Sequence, residues 1–583
     1  MNAFERMKFA MENFMIDHPE EISEFGRRGL FGAYYIPEPH LNMDQWCDAD
    51  LTSRAMDAWL FARKVTGDYE TGKEVEAEQE KYFFNLINPE TGLAFVRENS
   101  RPYRDGYYYH MWDQGRALKH LVNRYALLAN TEKEKNRLHT MIDKMVESCL
   151  KFSKTAKEAD GRISRYWEAD AFFDERPIQK GEDFGPSHIL NFTSGCGQLL
   201  DPMIKFYVAT KEKKYLDLVL ELASGFIEGY EERRCSTRPM FGPDGKFAGH
   251  FHTNISTLSG IVVTAREVYK LGNEALAREY MEIAVKAWKW IFSEGNQNRG
   301  SSLGWFPECT DDNHVCDTNE FCCTADMIEF AAALAETAEV IPGYEWLDNM
   351  WDDADRFTIN ELYAMQILNP EQLRKYLPDQ SAENMKRFDR QVKLGLGGWG
   401  TSRNWLPEMM RYIDGNYSIF TIGCCLYSGQ RGLYSYWKSM VSENAGKIRI
   451  RFAGDYQSDK LVINQLPEGG MEICLKEDAA LEIRIPTTAD KASLRIQAAG
   501  EDVAHAAMQR GYIAFDGKAG VGYTVSWNDL EWEITETVGC INEGHVPFAE
   551  IGKKVPMTIR YKGNKVIGFA QDMNAVIPFD KGM

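Results

Sequence analysis

The feature that most constrains this 583-residue chain is a helical hairpin that keeps returning. From about residue 45 to 440, apolar residues recur at spacings of three and four, the period of an amphipathic helix. The pattern is clear in LTSRAMDAWLFARKVTGD and in QGRALKHLVNRYALLAN. LLDPMIKFYVATKEKKYLDLVLELASGFIEGY holds two such helices around the polar break ATKEK, and SGIVVTAREVYKLGNEALAREYMEIAVKAWKWIF repeats the plan around LGNE. It returns in ADMIEFAAALAETAEVIPGYEWLDNMWDDADR, so five or six hairpins fit before residue 440. A hairpin that cannot bury its own apolar face must stack on copies of itself or close a ring with them. The expected fold is therefore mainly α, an (α/α)6-type helical barrel over residues 1–444, with an open solenoid as the competing solution.

After Lys447 the period changes to two. KIRIRFAG, KLVINQLP, GMEICLKE, ALEIRIPTT, ASLRIQAAG and YTVSWNDLEWEITETV alternate apolar with polar residues between Gly, Pro and Asp turns, which reads as antiparallel strands. Residues 445–537 are expected to form a C-terminal β-sandwich, and 538–583 a short β extension. Between the hairpins, the stretches 101–112, 155–190, 232–256, 296–319 and 395–424 carry Gly, Trp, Tyr, His and Cys. In a closed barrel they would crowd one rim and form a site.

Charge and cysteine usage narrow the function. A net charge of -20, spread along the chain, repels phosphate backbones and argues against nucleic acid. No run of 18 apolar residues exists, so no membrane span is expected. The first twenty residues lack a signal layout, which gives a cytoplasmic expectation. In a reducing compartment, clustered cysteines among the 12 present read as metal-binding or catalytic before they read as disulfides. One cluster, PECTDDNHVCDTNEFCCTADM, holds Glu308, Glu320 and Cys322; the other, IGCCLYSGQRGLY, holds Cys424 and Cys425. Zinc favours thiolates and tolerates a carboxylate, and four ligands make a tetrahedron. Both pairs open helices, whose N-termini favour thiolate over thiol. Buried core cysteines are the competing explanation.

The same segments resemble the family 127 glycoside hydrolases, whose members include β-L-arabinofuranosidases. EFCCTADM, DDADRFTINELY and CCLYSGQR match that family's E-T-C-A, D-x-x-E-R and C-C-P-x-N-x-x-R motifs in order. DADLTSRAMDAWLFA, GCGQLLDPMIKFYVATKEKKYLDL, HFHTNIS and LEIRIPTT bring the likeness to seven segments within residues 45–535. The resemblance implies zinc held by Glu320, Cys322, Cys424 and Cys425. It implies that Cys424 is the nucleophile of a retaining glycosidase and Glu308 its general acid/base, and the missing signal layout gives the expectation of short, imported carbohydrate substrates. It also implies that His252 faces the sugar. Two positions depart from the pattern: Arg116 and Cys196 stand where sugar-binding histidines are expected. Arg suits an anionic group, so an anionic sugar is one expectation and pairing of Arg116 with an acid such as Asp113 the other. Asp50 either lines the mouth or caps a helix, Trp399 either stacks on a sugar or sits in the core, and His110 and His250 are weaker candidates. Two other readings stay open: a helical-barrel hydrolase or lyase for uronic sugars, and a non-catalytic glycan-binding protein with structural zinc. A homodimer is compatible with the sequence.

Overall fold

The computed structural model describes the chain apart from residues 17–30, 37, 44–47, 97–107, 110, 152, 168–196, 228–239, 248, 293–300, 307–308, 311–313, 317–319, 375–376, 403–418, 422, 445, 541–544, 548–552, 571–576 and 579–583. Helix α1 spans Ala3–Glu12. Five hairpins follow: α2 (Asp48–Thr66) with α3 (Lys73–Asn85), α4 (Met111–Leu127) with α5 (Glu132–Leu150), and α6 (Leu200–Thr210) with α7 (Lys213–Ile227), then α8 (Phe251–Lys270) with α9 (Glu274–Trp290), and α10 (Phe321–Ala338) with α11 (Met350–Phe357). Helix α12 is Gly423–Met440.

Packing decides between ring and solenoid. α2 packs on α4, α4 on α6, α6 on α8, α8 on α10 and α10 on α12, and α12 returns to α2. The ring is closed. Five outer helices back their own hairpin partners, and the sixth outer position is filled by α1, which packs on both α2 and α12. Local chemistry sets the hairpin turns. Thr131 and Asn273 cap α5 and α9 by accepting bonds from Glu134 and Leu276 amides, and Gly272 takes the positive φ of 87° that the turn after α8 requires. Each hairpin begins with its inner helix. The six inner helices therefore run parallel, with their N-termini gathered at one mouth of the barrel and the short turns at the other.

The β region is a two-sheet sandwich. A four-stranded sheet (Val441–Asn444, Lys447–Ile450, Ala479–Arg484, Tyr512–Gly517) faces a six-stranded one that includes Leu461–Gln465, Gly470–Leu475, Gly522–Asp529 and Ala489–Ala498. Burial alternates along Gly470–Leu475 and Gly522–Asp529, as a half-buried strand requires. Ion pairs fix the sandwich to the barrel: Arg484 bonds Asp352 at 2.6 Å in a buried pair, and the partly exposed Arg510 bonds both oxygens of Asp348 at 2.7 Å. The strand Glu531–Cys540 runs across residue 537 and belongs to a third sheet with Lys553–Lys562, Lys565–Ala570 and Ile577–Pro578. That sheet is docked on the barrel through Tyr561 Oη to Ser302 Oγ (2.9 Å) and Asn360 Nδ2 to the Asn564 carbonyl (2.8 Å). A further strand, His545–Pro547, pairs with His314–Cys316 at the edge of a small sheet that continues through Cys309–Thr310 to Gly249–His250.

Candidate metal and active site

The N-terminal mouth collects the chemistry. Glu320 is the N-cap of α10, Cys322 lies in its first turn, and Cys424 and Cys425 open α12. The contact between α10 and α12 brings these two distant stretches together. One donor atom from each of Glu320, Cys322, Cys424 and Cys425 lies within 4.8 Å of every other. The sulfurs of Cys322 and Cys425 are 3.9 Å apart, and those of Cys424 and Cys425 3.8 Å. A tetrahedral zinc with Zn–S near 2.3 Å sets its sulfurs about 3.8 Å apart, so the donors already have the spacing a metal would impose. Three of the four are buried, and Cys424 alone is half-buried.

The surroundings suit such a group. His250 Nε2 is 2.9 Å from Glu320 Oε2 while its Nδ1 meets Thr253 Oγ1 at 3.0 Å, which fixes the carboxylate from behind. Arg54 Nη1 and Ser428 Oγ approach the Cys322 sulfur at 3.2 and 3.1 Å. Burial raises the Cys322 thiol, but hydrogen bonds with Cys424 and Cys425 and the Arg54 guanidinium outweigh it and hold the group well below the usual thiol range. Cys424 is pushed up by its bonds to Cys322 and Cys425, and Cys425 by burial. Glu320 is likewise pushed up, by burial and then by Cys322. Four acidic donors converging on one point fit a divalent, thiophilic cation.

Beside the cluster, a buried polar chain runs across the barrel. Arg54 Nε bonds Asp50 Oδ1 at 2.7 Å, and Arg116 Nε lies 3.3 Å from the same oxygen. Both guanidinium groups reach His252 Nε2, Arg54 at 3.1 Å. His252 Nδ1 bonds Asp326, which also pairs with Arg431. Burial and then Arg116 and Arg54 hold His252 well below its ordinary value, so the ring is neutral: Nδ1–H donates to Asp326 and Nε2 accepts from the arginines. Burial and Arg54 pull Arg116 down to about 9.

The structure brings Glu320, Cys322, Cys424 and Cys425 together, with Asp50, Arg116 and His252 in the adjoining network. Arg116 pairs with Asp50 rather than Asp113, whose Oδ1 instead accepts the Asp50 amide at 2.9 Å. Trp399 stands apart. It is fully buried, donates Nε1 to the Leu362 carbonyl at 2.8 Å and lies over Gly429, where an added Cβ would come within 1.9 Å of the ring. That position is core and leaves no free face for a sugar. Glu308, Cys196 and His110 lie outside the described residues. Cys309, the residue after Glu308, pairs backbone to backbone with His250. Sequence reasoning passed over Arg54 and underweighted His250. The signals were present: Asp50 and Arg54 are one helical turn apart, and His250-x-His252 spans a strand end and a helix start.

Fold and site together define an (α/α)6 barrel of five hairpins and a sixth helix pair, with a sulfur-rich cluster at the N-terminal mouth of its inner helices and a β-sandwich attached. No protein-family model matches the chain, and no curated protein matches it in sequence. Solved structures do match. One, described as a glycoside hydrolase, aligns over 95% of this chain and 85% of its own with a TM-score of 0.51 at 12% identity, and shares the fold. A GH127 beta-L-arabinofuranosidase from Geobacillus Stearothermophilus T6 aligns over 97% and 80% with a TM-score of 0.47 at 11% identity. A cellobiose 2-epimerase from Bacillus thermoamylovorans aligns over 74% and 98%, with a TM-score of 0.44 at 12% identity.

Proposed function

We propose that this chain is a retaining glycoside hydrolase, a divergent relative of the family 127 enzymes, that uses Cys424 as nucleophile and Glu308 as acid/base. The observation that carries the reading is the meeting of donor atoms from Glu320, Cys322, Cys424 and Cys425 within 4.8 Å of one another, with Cys424 the one donor that is only half-buried. A zinc ion bound there would keep sulfur anionic near neutral pH. The chain's own residues do the rest. Cys424 Sγ attacks the anomeric carbon as the glycosidic C–O bond breaks, and Glu308 gives its proton to the departing oxygen. Glu308 then takes a proton from water, the water oxygen bonds the anomeric carbon, and the C–S bond breaks with its electron pair returning to sulfur. Two displacements retain configuration.

The substrate in this reading is a short glycoside, such as a β-L-arabinofuranoside. Engagement of Arg116 by Asp50 and His252 weakens the case for an anionic sugar, because its guanidinium is already paired. The closed set of four protein donors favours one second reading, a structural metal without turnover. Metal analysis together with NMR of the first-formed anomer from aryl glycosides separates them. Stoichiometric zinc and a retained anomer are expected; an inverted anomer, or full activity in Cys424→Ser, overturns the mechanism.

A further inference from the structure

Arg54 stands on α2, and its side chain joins four of the inner helices. Its Nε bonds Asp50 Oδ1 at 2.7 Å, one turn back on the same helix. Its Nη2 reaches His252 Nε2 on α8 at 3.1 Å. Its Nη1 reaches Cys322 Sγ on α10 and Ser428 Oγ on α12, each at 3.2 Å. The residue is buried, so these contacts are shielded from solvent. The two hydrogens of Nη1 serve the last two partners, and the planar fork fixes the directions of the rest. A lysine, with its charge on a single atom, could not span all four.

Charge gives this contact its meaning. Three thiolates and a carboxylate around a divalent cation carry two more negative charges than the cation supplies. A buried surplus of that kind is costly unless a partner meets it. Among the described residues, Arg54 is the one lysine or arginine whose side chain comes within hydrogen-bond reach of a donor atom of the cluster. Among the same residues, the sulfurs of Cys424 and Cys425 meet only each other, Cys322 and Glu320. Arg116, the second guanidinium of the network, touches Asp50 and His252 but no donor atom. Asp50 is shared by both arginines, so the three groups leave one positive charge over, and the bond from Arg54 to Cys322 aims it at the sulfurs.

We propose that Arg54 is the positioning residue of the metal centre. Its N–H···S bond places Cys322, and its charge offsets part of the surplus on the four donors, so that a thiophilic divalent cation is held in a site whose burial would otherwise oppose it. Arg54 itself gives no ligand and touches no reacting atom. The proposal rests on the reading of the four donors as a metal site, and not on turnover.

The test loads the full chain with cobalt(II), whose sulfur-to-metal charge-transfer band reports on the sulfur electrons, and measures cobalt affinity by competition with a chelator. In Arg54→Met the band should move to lower energy, because a sulfur relieved of its N–H partner holds its electrons less tightly. Affinity should fall about 10–100-fold. Arg54→Lys keeps the charge without the fork and should lie between Arg54→Met and wild type in both readings. Should Arg54→Met not fold, the lysine variant is read alone, and its band must still move. Arg116→Met removes a cation from the same network without touching a sulfur, and its band should stay at the wild-type position. An unmoved band in the Arg54 variants, or an equal shift in Arg116→Met, overturns the proposal and leaves the metal site standing. A wild-type chain that takes up no cobalt overturns the metal site itself, and this assignment with it.

Discussion

The two mouths of the barrel are cut from the same six helices and carry different chemistry. At the N-terminal mouth stand Glu320, Asp50, Asp113 and the sulfurs of Cys322, Cys424 and Cys425, all within the first turns of α2, α4, α10 and α12 or at their caps. Toward the other mouth stand Lys119, Lys205, Arg266 and Lys438, with Asp201 and Glu336 among them. Helix dipoles explain part of the N-terminal half: an N-terminus stabilises nearby anions by about 0.3–1 kcal/mol within the first turn, whereas of the cations named only Lys438 lies in a last turn. Six parallel helices point those terminal fields the same way. Mid-barrel, where the end charges have faded, Asp326, Arg431 and Glu329 form a salt-bridged seam between the two halves. The comparison teaches that the same parallel helices carry a cluster of thiol and carboxylate donors at their starts and a network of paired lysines, arginines and carboxylates further along.

The largest effect that can break this contrast is at the cluster. Cys322→Ser removes the sulfur that Cys425, Ser428 and Arg54 all approach. The expected result is loss of bound metal by elemental analysis, and glycosidase activity lower by about 10³-fold or more. Full metal content in this variant would mean that the sulfurs do not act together.

The next effect belongs to the other half. Glu329→Gln leaves Lys119, Lys205 and Arg431 to share one fewer carboxylate in a buried setting, and breaking such a network costs about 3–5 kcal/mol. Metal content should not change, which keeps the two mouths distinct. The pH profile carries a sign. Burial opposes ionisation, but Lys205 and Lys119 hold Glu329 well below the usual carboxylate range, and Asp201 is lowered by the same lysines. Groups depressed in the folded state stabilise it above their unfolded values, and that contribution is lost as pH falls through the folded ones. Wild-type stability should therefore drop in acid, and the Glu329→Gln profile should be flatter below pH about 4. A parallel acid profile in the variant would place the titration elsewhere.

How far the sequence reveals this arrangement differs between its parts. Spacing of apolar residues exposes the hairpins, because each helix must bury one face whatever it packs on. The switch to period two after Lys447 exposes the sandwich in the same way. Paired cysteines expose the cluster, because thiolates in a reducing setting have few other uses. Ring closure by α1 is not visible, since a ten-residue helix carries no mark of the partner it will meet more than 400 residues later. Nor is the small sheet in which the strand His545–Pro547 joins His314–Cys316 by backbone pairing. Trp399 reads equally as a platform or as core until Gly429 is seen beneath it. Asp326 and Arg431 look like ordinary helix residues, and only the register of α10 against α12 turns them into a seam.

A smaller effect sharpens the N-terminal mouth itself. His250→Ala leaves every sulfur in place but removes the imidazole that holds Glu320 at 2.9 Å. Loss of an outer partner of this kind lowers metal affinity about 10–100-fold. Competition with a chelator measures it, and affinity equal to wild type would show that Glu320 is oriented by its helix cap alone.

The smallest effect separates wall from site. Trp399 is fully buried on Gly429 and gives its one hydrogen bond to the Leu362 carbonyl. Trp399→Phe keeps an aromatic ring but loses that bond and some volume, so stability should fall by about 1–2 kcal/mol. KM and kcat for an aryl glycoside should both stay within twofold of wild type, since a ring sealed in the core has no face to offer a sugar. If instead KM rises several-fold while the melting temperature holds, the tryptophan reaches substrate in solution. The mouth would then be wider than the packing of α10 and α12 against Trp399 allows, and the division between a chemical rim and a packed core beneath it would have to be drawn deeper in the barrel.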